Sequence, residues 1–590
     1  MKDGKNSGNS KSLNFSSAKN DHIKKKQTYH ENNIPILNLE QHYNDLLFIP
    51  LGGANEIGLN FNLYHYQGKW LIVDLGIGFS EQDLPGVDVI LPKIDFIEEH
   101  KDNIIGMVLT HAHEDHLGGV QYLWHYLRCP VYTTKFTAEV LRAKLSEYED
   151  GIDINIIEVP MKGKIELKPF SIEMINITHS IPEMNGLMIR TPKGNIFHTG
   201  DWKFDPQPII GDITDENYIR KLGEEGILAV VCDSTNIFTE GSSKSEGELI
   251  NSIGDIVSKI KNGIVIVSTF ASNIARLHTI GIAAKRNNRK VFLAGRALWR
   301  VYNAARSSGY LLDLDLFLPS YEIKNYKRNE ILVICTGCQG ENLAAVSKIA
   351  RNQHQDINLK KGDAIVFSSK IIPGNEKRIS NLLNHFCKEG IETLTERDHF
   401  VHVSGHPARE EVRRMYDLLR PKISIPVHGE PTMIHEHCKF AIECGIEKAI
   451  EVSNGKVVNL SIEDPKVIAY VDSGYLAIDG NDIINDNSII FKERQEIRDN
   501  GAVVIVLIIN KSHRLIRRPK VISMGLFDRN DDSDNNIIDE IVEEIKNTIS
   551  ELKRIDVKIL PKKINRNVQK ICSMKRGKSP RVFVHIENIS

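Results

Sequence analysis

The sequence is poor in cysteine, with eight scattered from Cys129 to Cys572 in 590 residues. That is too sparse for a disulfide framework in so long a chain, and it points to a reducing compartment. Long apolar runs are missing too. The longest, Ala502 to Ile509, falls far short of the roughly 20 residues that cross a bilayer. The lysine-bearing N-terminus has no apolar stretch of the signal-peptide kind, so the protein is expected to be soluble and cytoplasmic. Net charge is nearly absent: −2, from 75 Lys+Arg against 77 Asp+Glu. This excludes an overall polycation but not a local basic field that meets a nucleic acid. No internal repeat is evident, and a composition of 41% hydrophobic and 26% charged residues excludes global disorder or a fibre. What the chain does have is 22 histidines and length for three or four domains at roughly 100 to 200 residues each.

Residues 1–45 are rich in Lys, Asn and Ser and cannot bury enough apolar surface to fold alone, so a disordered basic tail is expected there. From Leu46 to Ser234 short apolar runs end in polar residues: LLFIPLGG, WLIVDLGIG, IIGMVLTHAHEDH, NIFHTGD, ILAVVCDSTN. This suits buried strands whose C-terminal loops carry chemistry. Residues 235–395 read as alternating helices and strands, a doubly wound α/β domain inserted into the first. Residues 396–465 resume the earlier style. Beyond 466 the strand-like AVVIVLIIN, an amphipathic helix and a basic final stretch read as a linker and a small α+β domain.

The strongest local signal is Thr110-His111-Ala112-His113-Glu114-Asp115-His116 directly after the apolar IIGMVL. Four donors in the spacing H-x-H-x-D-H cannot all reach one ion from a short loop, but they can serve two ions side by side. Other donors stand at the ends of buried runs: His179 after SIEMINI, His198 and Asp201 after GNIF, and His428 after ISIP. The assignment puts His111, His113 and His179 on one ion, Asp115, His116 and His428 on the other, and Asp201 between them. His198 is left as a bystander. Imidazole and carboxylate suit Zn²⁺, with Mn²⁺ or Mg²⁺ as alternatives. Two such ions would lower the pKa of a shared water and clamp a phosphoryl or acyl oxygen, so the chemistry expected is hydrolysis.

Ten segments in order, LGGANEIG, THAHEDHLGG, ITHSIP, GNIFHTGDWKFD, CDSTN, TFASN, CTGCQGE, SSKIIPGN, HVSGH and PVHGE, resemble bacterial ribonuclease J, of the β-CASP group of metallo-β-lactamase-fold nucleases. The resemblance runs from about Leu46 to the C-terminus and leaves out the tail. It implies an α/β fold: a metallo-β-lactamase αββα sandwich (46–234 and 396–465) with an inserted β-CASP domain (235–395), then a linker and an α+β assembly domain (466–590). It places the metal ligands on the seven residues assigned above. It further implies Asp233 as proton donor, His406 as proton acceptor, and His402-Val403-Ser404-Gly405-His406 as the loop that binds substrate phosphate. Phosphodiester hydrolysis must protonate the leaving 3′-oxygen and orient a water, which an Asp and a His beside a dication can do. Weaker candidates for the pocket of the RNA 5′ end are Ser268 to Asn273 and Gly337 to Glu341.

The activity so implied is 5′-to-3′ exonuclease action on single-stranded RNA with a 5′-monophosphate, with endonuclease action besides, in mRNA decay and rRNA maturation. The partners implied are single-stranded RNA, a dimeric or tetrameric homo-oligomer, and RNA-decay or ribosome-associated proteins. Three other readings compete. Small-molecule hydrolases share H-x-H-x-D-H but lack the insertion and HVSGH, a scaffold subunit is disfavoured by the complete ligand set, and DNA as substrate is left open because 2′-hydroxyl contacts are not readable. Cys335 and Cys338 form a C-x-x-C with no second pair and are read as incidental. Asp83, Asp88 and Asp479 are a candidate structural Ca²⁺ site, with solvated acids the blander reading. Nine basic residues and no acid between Lys558 and Arg581 suit a polyanion, and the acidic helix Ile537 to Leu552 has an apolar stripe suited to packing.

Overall fold

The computed structural model describes residues 34–80, 84–147, 153–372, 374–510, 514–528, 530–551 and 559–588. The tail before residue 34, Asp83, Leu552 and Lys558 lie outside them. The chain divides into two compact units, Met1–Gly78 with Ile90–Tyr475, and Phe79–Val89 with Leu476–Ser590.

The first unit is built on two facing sheets. One has eight strands in the order Lys466–Tyr470, Lys456–Asn459, Leu47–Gly52, Phe61–Tyr66, Lys69–Val73, Ile104–Val108, Val131–Thr133, Ile156–Glu158. The other has seven: Lys448–Ala449, Ile423–Val427, Ile227–Asp233, Gly194–His198, Asn185–Thr191, Phe170–Asn176, Lys164–Leu167. The first of these sheets continues past residue 465 into Lys466–Tyr470.

Side chains alternate across a strand, and the second sheet uses both faces. Ile172, Met174, Leu187, Ile189, Ile196, Ala229 and Val231 point into a core shared with Phe48, Tyr64, Leu71 and Val108 of the first sheet. Their neighbours Ile175, Met188, Phe197, Val230 and Cys232 point the other way, against Ile219 and Leu222 of helix Glu216–Glu224 and Val412, Met415 and Leu419 of helix Arg409–Leu419. A strand covered on both faces reads as a continuous apolar run. That is why ILAVVCD has no polar alternation.

The inserted segment forms its own sheet of six parallel strands, in the order Leu318–Pro319, Lys290–Ala294, Ile331–Cys335, Val265–Ser268, Ala364–Phe367, Glu392–Leu394. Ile266, Phe292, Val333 and Ile365 are fully buried in its core. Its first helix, Glu246–Lys259, starts on a capping box of Ser245 and Glu248, which satisfies two otherwise orphaned amides.

In the second unit the strand Ala502–Ile509 lies between Lys520–Met524, antiparallel, and Arg581–Asn588, parallel. Val503, Ile505, Leu507 and Ile509 face a core completed by Ile541 and Ile545 of helix Asp532–Ser550 and by Leu560, Ile564 and Val568 of helix Leu560–Arg576. The longest apolar run of the sequence is thus a central strand, and the acidic helix packs inside its own unit. Asp479 is held by the two terminal guanidinium nitrogens of Arg494, at 2.9 and 2.7 Å. Among the described residues it joins no carboxylate cluster that could hold a cation. No helix of the described residues is long and apolar enough to cross a membrane.

Candidate metal centre

The loop after strand Ile104–Val108 turns through Thr110 into the short helix Glu114–Leu117. It is fixed from below by Asp74, which follows strand Lys69–Val73 with φ of 63°. Asp74 is fully buried and accepts from the Thr110 amide (2.7 Å), the Thr110 hydroxyl (2.8 Å) and Nδ1–H of His116 (2.7 Å). With its hydroxyl proton given to Asp74, Thr110 Oγ1 accepts Nδ1–H of His111 at 3.0 Å. Nδ1–H of His179 goes to the carbonyl of Gly405 at 2.6 Å. The Nε2 atoms of His111 and His179 therefore present lone pairs, and Nε2 of His116 is the atom left to face the cluster.

Those lone pairs converge. Nε2 of His111 and Nε2 of His179 stand 3.0 and 3.1 Å from Nδ1 of His113, and both lie 3.9 Å from Oδ2 of Asp201. Beside them Oδ2 of Asp201 is 3.2 Å from Nε2 of His116, and Oδ2 of Asp115 is 3.1 Å from Nε2 of His428. Two donor groups result, His111/His113/His179/Asp201 and Asp115/His116/Asp201/His428, sharing Asp201.

Of the first group's three ring nitrogens only Nδ1 of His113 can carry a proton, and one proton cannot serve both neighbours fully, while Oδ1 of Asp201 is buried without a hydrogen-bond partner. Divalent cations suit such a donor set. Burial and neighbouring rings hold His111 and His179 well below the usual histidine range, and burial takes His113 down to about 4. Neutral imidazole is the form that ligates. On the other half, burial disfavours a charged His116, yet Asp201, Asp115 and Asp74 together hold it well above its usual range. That half is an excess of negative potential which a cation can relieve in place of protons.

A third group, Asp201, Asp233, His406 and His428, adjoins the first two. Asp233 ends strand Ile227–Asp233. Its Oδ1 accepts from the amide and hydroxyl of Thr235 (2.8 and 2.6 Å), and its Oδ2 lies 2.7 Å from Nδ1 of His406. Thr235 Oγ1 is also 2.8 Å from Nδ1 of His428, which ties this pair to the donor cluster. In the loop 402–406, Ser404 Oγ accepts from Asn236 Nδ2 (2.7 Å) and from the His406 amide (3.1 Å), and Val403 is buried. Gly405 has a steric reason: a Cβ there would lie 2.7 Å from the His179 ring. His402 is held well below its usual range by burial and then by Arg276, Lys370 and Lys203, two of which are themselves paired, Arg276 with Glu246 and Lys203 with Asp205.

The structure thus brings together His111, His113, Asp115, His116, His179, Asp201, His428, Asp233 and His406. His198 stands apart, hydrogen-bonded to Tyr64 (2.8 Å). The Ser268 to Asn273 and Gly337 to Glu341 turns carry structural bonds: Asn273 caps helix Ile274–Arg286, and Gln339 braces Lys370 and Ile372. Cys335 and Cys338 are thiols that burial pushes up to about 12, and among the described residues neither joins a group that could hold a metal ion. Sequence reasoning missed Asp74, Thr235 and Asn236. The one available signal was the Asp that ends WLIVD, alongside the Asp that ends ILAVVCD.

Family models match the chain in four places: "Beta-lactamase superfamily domain" at residues 69–215, "Ribonuclease J, beta-CASP domain" at 262–386, "Zn-dependent metallo-hydrolase RNA specificity domain" at 390–450 and "Ribonuclease J C-terminal domain" at 489–589. The chain is similar to ribonuclease J of Sinorhizobium meliloti, 37% identical over 92% of this chain and 98% of the relative. It is also similar to ribonuclease J2 of Bacillus subtilis (34%, covering 81% and 86%) and to ribonuclease J of Helicobacter pylori J99 (32%, covering 95% and 83%). A crystal structure of a protein of unknown function from Enterococcus faecalis V583 shares the fold, with a TM-score of 0.50 and 16% identity over 70% of this chain and all of that one.

Proposed function

The chain belongs to the ribonuclease J family, and from that premise we propose that its metal centre is the active site of a 5′-to-3′ exonuclease on 5′-monophosphate, single-stranded RNA. At the coarser level it is a metal-dependent nuclease that hydrolyses RNA phosphodiester bonds. The observation that carries the hydrolytic part of this proposal is the pair of donor groups sharing Asp201 with Asp233 and His406 directly beside them, and the direction and end preference follow the resemblance of the ten segments. Two divalent ions, zinc in this proposal, would be held by His111, His113, His179 and Asp201 and by Asp115, His116, Asp201 and His428. Bound there, they would supply a water of lowered pKa and neutralise phosphoryl charge.

The chain's own residues do the rest. Asp233 and His406 act as one proton-transfer unit. Asp233 rests as a carboxylate, held below its usual range by His406 against the effect of burial, so as donor to the leaving oxygen it passes on a proton that the acceptor His406 has taken from the water and handed over across the 2.7 Å bond between them. The Ser404 hydroxyl and the amides of residues 402–405 meet phosphate oxygens, and the exposed Lys370 adds positive charge nearby. Gly405 lets His179 sit against that loop, so the phosphate site and the first donor group are built as one piece. We place the enzyme in the cytoplasm, in mRNA decay and rRNA maturation, as a homo-oligomer with some endonuclease action. A scaffold role is disfavoured by the complete donor set.

The test uses RNA labelled at the 5′ end with a monophosphate or a triphosphate, and DNA of the same sequence. Wild type with Zn²⁺, Mn²⁺ or Mg²⁺ should release labelled mononucleotide from the monophosphate RNA first, and His406→Ala should not. Equal cutting by wild type and an Asp115→Ala, His116→Ala variant would sink the proposal.

A further inference from the structure

The parallel sheet of the inserted segment has two places where neighbouring strands send their chains in opposite directions. From Lys290–Ala294 the chain leaves through helix Arg296–Ser307 toward the Leu318–Pro319 edge; from the adjacent Ile331–Cys335 it leaves through helix Ala345–Ala350 toward the other edge. The adjacent strands Val265–Ser268 and Ala364–Phe367 part in the same way. Such divergence opens a crevice at the carboxyl ends of the strands, which is where open α/β sheets take ligands.

One of the two crevices is plugged. Arg276, fully buried, gives its guanidinium to Ser368 O and Oγ (2.9 and 2.6 Å), to Val401 O (3.3 Å) and to Glu246 (2.6 and 3.0 Å). The other is open, a cavity of about 440 Å³. Arg296, Trp299, Tyr321, Thr336, Lys348 and His354 line it, and no lining residue is acidic.

The chemistry of that lining is specific. Arg296 and Lys348 are exposed, and neither enters an ion pair among the described residues. His354 Nδ1 accepts the Asp356 amide at 3.2 Å, which makes its Nε2 a donor. Helix Arg296–Ser307 begins on Gly295 with no side-chain cap, so its first-turn amides add donors and positive dipole at the same spot. Gly295 has φ of 137°, and a Cβ there would come within 2.9 Å of Thr336 Oγ1; only glycine lets the two loops stand this close. Trp299 is half-buried, and Tyr321, 61% exposed, offers a flat face.

We propose that this crevice is a nucleotide-binding site. The phosphate is taken by Arg296, Lys348 and the helix amides, and the base stacks on Trp299. It shares no residue with the metal centre and does not depend on the hydrolytic reading. The nucleotide comes either free or as one unit of an RNA strand.

Tryptophan emission of the full-length chain, titrated with uridine 5′-monophosphate, tests this. Trp70 and Trp202 are fully buried, and a Trp299→Leu variant identifies the quenching that belongs to the crevice. Wild type should show saturable quenching that Trp299→Leu loses. An Arg296→Glu, Lys348→Glu variant should need at least about tenfold more ligand, as expected for two lost phosphate contacts, while Lys377→Glu, another exposed lysine of the segment, keeps the wild-type midpoint. Absence of Trp299-dependent quenching, or an unchanged midpoint in the double variant, overturns the proposal. So does inorganic phosphate matching the mononucleotide. A five-nucleotide RNA in chelator that binds more tightly than the mononucleotide supports the site with an RNA strand as its source, and equal affinity supports it with the free nucleotide.

Discussion

Asp74 never enters the donor groups, yet it fixes two of their members. Its two oxygens accept from Thr110 and His116, which sets the tautomer of His116 directly and that of His111 through the Thr110 hydroxyl. Outer carboxylates of this kind tune ligand basicity and orientation. Asp74→Asn would aim an amide N–H at one of these donors. Metal affinity, measured by competition with a zinc-chelating dye, should fall by roughly 10- to 100-fold with the fold intact; unchanged affinity would remove this role. A second residue-scale expectation concerns His65, which belongs to none of the donor groups. Its ring packs 4.7 Å from that of Trp70, and burial lowers its pKa to about 4. Below about pH 6.5 the unfolded chain takes up this proton, while the folded chain refuses it until about pH 4. The unfolded state therefore binds more protons across that window, and stability falls as pH falls, by about 2 kcal/mol at pH 5. His65→Gln should show a shallower loss of urea midpoint between pH 6.5 and 4.5 than wild type, and an equal slope would contradict the assignment.

At the scale of elements, helix Ile274–Arg286 depends on a charge buried within the sheet crevice. Arg276 is fully buried against Glu246, itself only 5% exposed. Removing one partner leaves the other charge buried and uncompensated, a loss of about 3–5 kcal/mol, whereas replacing both with apolar groups is close to neutral. Arg276→Met should lower the urea midpoint strongly, and Arg276→Met with Glu246→Met should recover most of it; equal losses in both would refute the pairing. This ion pair was not legible in the sequence, and the reason is general for the molecule. H-x-H-x-D-H announces itself because four donors crowd one loop. Asp74 and Thr110, or Arg276 and Glu246, stand 36 and 30 residues apart, and no local pattern marks one end of such a bond. Strand-length apolar runs were readable because burial on both faces leaves no polar residue inside them. Their order in the sheets was not, since the sheet that begins at Leu47 takes neighbours from residues 456–470 and 61–66 alike.

For the whole molecule, the division into two units means that the cores of the larger share no residue with the core of the smaller. The larger unit buries Phe48, Leu187 and Ile425 and also carries every donor of the metal groups; the smaller buries Val503, Ile545 and Val568. Anything that binds only the folded state stabilises it by mass action, by about 4 kcal/mol at a thousand times its dissociation constant. Metal therefore stabilises one unit and not the other, as long as each unfolds by itself. Calorimetry of the metal-loaded chain should show a transition that chelator lowers and a second that chelator leaves in place. Ile545→Ala, a truncation in the smaller core worth about 2–5 kcal/mol, should lower the second alone. A single transition that both perturbations move together would mean that the two units unfold as one, and the independence argued from their separate cores would be lost.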